Sequence, residues 1–155
     1  MKITKDFTTF ELIDSPTARE KKIGNTPNQE AMQALRALAE DVLQPARDAL
    51  GVPIIVSSGY RSPELNRAVG GSPTSQHMRG EAVDIRCASG ADTARLFFYL
   101  LERGGFDQLI WENGTDLAPH WIHVSYKRGG GNREQAFRLR YGKKLPTPIA
   151  PRGRK

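Results

Sequence analysis

At 155 residues, 38% hydrophobic and 26% charged with 15 Gly and 10 Pro, the chain has the length of one domain and the balance of a turn-rich globular protein. Its formal charge of +6 is unevenly placed: residues from Lys127 onward carry ten Lys or Arg against Glu134 alone, a net of +9, while the first 126 carry −3. The mildly acidic body excludes a basic nucleic-acid-binding core, no apolar run approaches the ~18 residues of a membrane span, and the single cysteine, Cys87, excludes an internal disulfide or a multi-thiolate metal site.

Along the chain, Thr8 to Leu12 reads as a capped helical turn, followed by a charged connection through Ser15-Pro16 and Lys21-Lys22. The longest helix is predicted to open at Thr26-Pro27-Asn28-Gln29, with Thr26 as cap and Pro27 in the first position. Met32, Leu35, Leu38, Val42 and Leu43 recur at helical spacing and face the core; Pro45 should kink or break the helix, and Gly51 closes it. Pro53 to Ser57 reads as a short strand, and Ser62-Pro63-Glu64-Leu65 as a brief capped helix ending at Gly70-Gly71. Ala82 to Arg86 is a predicted strand, Asp92 to Arg103 an amphipathic helix stopped by Gly104-Gly105, and Phe106 to Glu112 and Trp121 to Tyr126 two further strands. Beyond the flexible Gly129-Gly130-Gly131, Phe137, Leu139 and Tyr141 alternate with Arg138 and Arg140 as an edge strand, and from Lys143 the basic, Pro-rich end reads as loose.

The three histidines, His77, His120 and His123, all fall at turn-to-strand junctions, where functional side chains are commonly held. His77 and Asp84 are seven apart, with Gly80 letting the backbone turn between them, and His123 stands in a later strand. Two imidazoles and a carboxylate suit zinc and leave a fourth position for water. Spacing alone leaves a purely structural role for each of the three open.

Three segments together carry a family resemblance: Ser58-Gly59-Tyr60-Arg61-Ser62, the run Ser75 to Ile85 with its His-x-x-Gly-x-Ala-x-Asp pattern, and His120-Trp121-Ile122-His123-Val124-Ser125. They resemble the zinc D-Ala-D-Ala carboxypeptidase and L,D- and D,D-peptidase family, peptidase M15, and within it the short phage or bacterial peptidoglycan-cleaving members. The resemblance runs from about Phe7 to Tyr126. It implies an α+β fold of the hedgehog and DD-peptidase kind, a small antiparallel sheet packed with helices around a zinc cleft. It also implies zinc (Zn2+) held by His77, Asp84 and His123, and Arg61 as a substrate contact near the scissile peptide or its terminal carboxylate. The expected organisation is one zinc peptidase domain over residues 1–142 and a flexible basic tail over 143–155.

The general base departs from the family pattern, because many members carry an acid three positions before the last zinc ligand and here that position is His120. Residues three apart in a regular strand face opposite sides, so His120 reaches the metal only if the chain bends after Pro119, and Glu112 is the competing and favoured base. Tyr60, Ser75, Gln76 and Trp121 are candidate substrate contacts. Ser75 and Gln76 are equally readable as turn caps, and Trp111, Trp121, Tyr60 and Tyr126 as core.

The expected activity is hydrolysis of a peptide bond in the stem or cross-link of peptidoglycan, as carboxypeptidase or endopeptidase according to whether loops such as Asn113 to Pro119 close the cleft. The start of the chain shows no apolar stretch after its charges, so synthesis in the cytosol and action on the cell wall after release through a membrane lesion are expected. The chain is expected to be a monomer, with no membrane insertion and no nucleic-acid partner. The alternative is a non-catalytic, metal-stabilised module of the same fold that binds cell wall or nucleic acid.

Overall fold

The computed structural model describes residues 1–148. Helices α1 (Thr9–Ile13) and α2 (Pro16–Lys21) open the chain, each started by a hydroxyl: Thr8 and Glu11 form a reciprocal capping box, and Ser15 accepts from the Ala18 amide ahead of Pro16. The segment around Ser15-Pro16, expected as a connection, is therefore helical. Helix α3 (Gln29–Leu38) is capped by the Asn28 side chain, which accepts from the Ala31 amide, and not by Thr26 two residues earlier. A π-helical turn (Ala39–Leu43) leads into α4 (Gln44–Leu50), which ends at Gly51 with φ 70°. Pro45, expected to kink or break the helix, stands within the first two positions of α4, and just ahead of it the α-helix gives way to the π-helical turn.

Strand β1 (Ile55–Ser58), the Ser62-capped α5 (Pro63–Ala68), a 3₁₀ turn (Gln76–Arg79) and β2 (Ala82–Arg86) follow. Then come α6 (Gly90–Arg103), capped by Ser89, and strands β3 (Gln108–Glu112), β4 (Trp121–Ser125), β5 (Gln135–Arg140) and β6 (Lys143–Leu145). The fold is α+β: one six-stranded sheet in the order β1-β2-β4-β3-β5-β6, antiparallel except for the β3–β5 pair. None of the described helices is long and apolar enough to cross a membrane.

The period of two along each strand divides the sheet into a dry face and a polar one. Val83, Ile85, Leu109, Trp111, Ile122 and Val124 are buried in the core together with Leu35, Leu38, Leu43, Leu96, Phe97 and Leu100 from the helices. Trp111 is fully core: its ring meets Phe97 edge-on at 5.2 Å, and its indole N–H donates to the Thr115 carbonyl. Cys87 is buried as expected. Residues Asp84, His123, Ile110 and Glu112 alternate with the core set and lie on the opposite face.

The end of the chain differs from the expectation. Lys143–Leu145 is not loose but pairs antiparallel with β5, so β5 is covered where it was expected to be an edge. Just past β6, the Pro146 carbonyl accepts from Arg138 Nε, and the Thr147 hydroxyl donates to the Ala136 carbonyl. The remainder of the expected tail, 149–155, lies outside the described residues.

Ahead of β5, residues 127–134 are fixed by Asp107, whose side chain is 0% exposed. Its carboxylate accepts from the Arg133 amide, Nε and Nη2 at 2.7–3.0 Å. These hydrogen bonds hold the Asp107 carboxyl down at about 2, against an ordinary value of 3.8. A depressed folded pKa stabilises the fold above the unfolded value and is lost as pH falls through the folded one. Wild-type stability should therefore drop between about pH 4 and pH 2, in a step absent from Asp107→Asn. At neutral pH that variant should lose about 2 kcal/mol, because a neutral amide gives up the charge-assisted hydrogen bonds to Arg133, as measured by urea unfolding.

Candidate metal centre and cleft

Three elements deliver three donors to one point. Asp84 and His123 are direct cross-strand partners in the β2–β4 register, which sets their side chains next to each other on the polar face. His77 arrives from the 3₁₀ turn, its amide donating to the Ser75 hydroxyl that caps the turn, and Gly80 ends that turn at φ 71°. A Cβ on Gly80 would stand 2.2 Å from the Ala31 carbonyl oxygen, so only glycine allows the turn to pass α3.

His77 is 2% exposed, and its Nδ1–H donates to the Gly59 carbonyl at 2.7 Å. That bond places the proton on Nδ1 and leaves Nε2 as the lone-pair donor, the tautomer a metal ligand needs. Nε2 stands 3.5 Å from Asp84 Oδ1, and His123 Nδ1 stands 3.2 Å from the same oxygen. The two rings meet edge-on with centroids 5.3 Å apart. Donors bound tetrahedrally at about 2.0–2.2 Å lie about 3.3–3.5 Å from one another, so the separations from Asp84 Oδ1 match the space a small divalent metal fills. Burial pushes the Asp84 carboxyl up, but the His123 and His77 rings set against it outweigh that and hold the group well below the usual carboxylate range. It is therefore anionic, as a ligand must be. The donor set, two imidazoles and one carboxylate, fits zinc-type coordination with positions left open.

The model of peptidase family M15 matches residues 5–125, four-fifths of the chain and all three of these donors. The chain belongs to peptidase family M15. No curated protein matches it. The family and the His77-Asp84-His123 cluster together make this a metallopeptidase of the M15 type.

Around the M15 centre lies a cleft of about 850 Å³. Of the residues singled out in the sequence, Arg61, Ser75, Gln76, Glu112 and Trp121 line it beside the three donors. The Arg61 guanidinium donates from Nη2 to Ser75 Oγ at 3.3 Å, while its Nε is buried with no hydrogen-bond partner among the described residues. Burial lowers the Arg61 pKa, and the charge of Asp84 opposes that. Glu112 sits on β3 opposite Trp121. Burial pushes its carboxyl up, the charge of Asp84 adds to the shift, and His123 opposes it.

Two expected residues stand elsewhere. His120 is exposed and lines no part of the cleft, since its amide donates to the Glu112 carbonyl and the strand pairing turns its side chain away. Tyr60 is buried in the hydrophobic core and borders a separate depression beside Pro16. The sequence reading missed the Gly59 carbonyl that orients His77, and also Gln108 and Ile110, which line the cleft. The alternation Gln108, Ile110, Glu112 along β3 was a signal that could have found the latter two.

Substituting His77, Asp84 or His123 singly by Ala should remove most of the bound metal, read by elemental analysis of the purified proteins. Full stoichiometry retained in any one variant would remove that residue from the set.

Proposed function

We propose that the protein is a zinc endopeptidase that cleaves a peptide bond in the stem or cross-link of peptidoglycan. The observation that carries this reading is the convergence of His77, Asp84 and His123 at the base of an open cleft whose wall also presents Glu112 and Arg61. The choice of an internal bond rests on the same cleft: no residue of the loop 113–119 lines it, so this loop does not shut the space behind a substrate.

His77, Asp84 and His123 are the residues that would hold zinc, which when bound supplies Lewis acidity and brings the ionisation of water to near neutral pH. Glu112 accepts the proton of the attacking water and passes it to the leaving amine nitrogen. Its partly desolvated carboxylate is the more basic for its burial and for the nearby negative charge of Asp84. Arg61, on the cleft wall, holds the developing oxyanion or a substrate carboxylate with its guanidinium. Ser75 fixes the guanidinium, Gln76 lines the cleft beside it, and Trp121 offers an apolar wall. His120 and Tyr60 take no part in the chemistry in this reading. The action is on the cell wall, with the cationic end of the chain adding electrostatic attraction to an anionic envelope.

Digestion of purified peptidoglycan with and without chelator, followed by mass analysis of the released peptides, tests the reading. Zinc-dependent release of stem fragments is expected, and no release by the zinc-loaded protein overturns it. Glu112→Gln should retain zinc and lower turnover by about 10²-fold or more, while His120→Ala should stay close to wild type. The reverse order would transfer the proton-transfer role to His120.

A further inference from the structure

One end of the cleft has no role in the reaction as described. The strand registers set an axis across the polar face: Glu112 and Trp121 at one end, Ile110 and His123 in the middle, and Gln108 at the other end, where its amide donates to the Ser125 hydroxyl. Continuing β4 past Ser125, the chain brings Lys127 to the wall of the cleft, and Arg133 joins it from the loop that leads to β5. The Asn132 side chain clamps this loop, accepting from the Lys127 amide and donating to the Lys127 carbonyl.

Both cations face one buried anion. Arg133 alone satisfies Asp107, through its amide, Nε and Nη2, whereas Lys127 Nζ stands 3.7 Å away, beyond a hydrogen bond. Two positive charges against one leave a surplus of +1 at this end. The Lys127 ammonium protons and Arg133 Nη1 make no hydrogen bond to the described residues. Elsewhere in the cleft Arg79 is paired with Glu81, and the acids that line it, Asp84 and Glu112, stand at the metal centre and the far end.

We infer that Lys127, positioned by the Asp107–Arg133 lock, forms with Arg133 a subsite for a carboxylate of the peptide substrate. Lys127 is four residues beyond His123 and two past the end of β4, so the carboxylate it reads belongs to a residue a few positions from the bond beside the metal. The ligand class is an extended peptide with a free side-chain or α-carboxylate at that position, and an amidated counterpart is discriminated against. This specificity rests on the peptidase reading above, but binding tests it separately from cleavage.

The probes are stem-type peptides blocked at both termini, carrying one free carboxylate moved one residue at a time, each with its carboxamide twin. Their affinities are measured by calorimetry on zinc-loaded Glu112→Gln protein, to suppress turnover, with and without Lys127→Met. One carboxylate position should bind about tenfold tighter than its amide twin, and the preference should vanish in Lys127→Met while the amide's affinity stays unchanged. Lys127→Arg should keep most of the preference, and added salt should shrink it. Equal binding of acid and amide at every position, a preference that survives Lys127→Met, or no binding of either form overturns the inference. If the preference behaves as expected but wild-type protein releases no fragments from peptidoglycan, the subsite stands and the proposed reaction falls.

Discussion

The pairing of Asp84 opposite His123 is the constraint from which the site follows. Side chains alternate across a sheet, so a slip of one residue between β2 and β4 would turn either Asp84 or His123 toward the helices and bring a core side chain such as Val83 or Val124 out to the cleft. The hydrophobic layer therefore enforces the metal site: the same register that buries Val83, Ile85, Ile122 and Val124 puts the two ligands side by side. His77 then needs only a turn of fixed shape, which Ser75, Gly80 and the Gly59 carbonyl supply.

Two carboxylates are taken out of water in this small domain, and they are satisfied differently. Asp107 is given a complete set of fixed donors by Arg133 and becomes a structural post. Asp84 is met by two imidazoles, groups whose ring nitrogens can bind a metal. The first arrangement is closed and the second can be re-occupied, which separates a lock from a reactive centre more clearly than burial does. Glu112, at the cleft wall with no Lys or Arg partner among the described residues, is the third case, a carboxylate left partly desolvated and basic.

Much of this was legible in the sequence because it is local. The strand at Ala82–Arg86, the cap at Ser62, the Gly51 stop and the His77-Gly80-Asp84 spacing are each fixed by neighbours a few residues away. The helix at Pro16 was missed because its charged sequence lacks an apolar stripe, although Ser15-Pro16 is a sound start signal. Asn28 outcompeted Thr26 as cap because it stands next to the first helical residue. The strand at Lys143–Leu145 was hidden by its charge: it is held by main-chain pairing to β5, which composition does not reveal. Glu112 was the favoured base in the sequence, and its place in the cleft, with His120 outside it, follows from the pairing of β3 with β4 across the loop that joins them.

The strand order has a consequence for how the molecule is assembled. β4 lies between β2 and β3, both of which precede it in the chain, so before β4 is in place each presents an open edge of unpaired amides and carbonyls. The strand that seals those edges also brings His123. A chain that has stalled short of β4 is thus exposed to aggregation and unable to complete its ligand set, and metal capture becomes a marker that the sheet has been zipped shut.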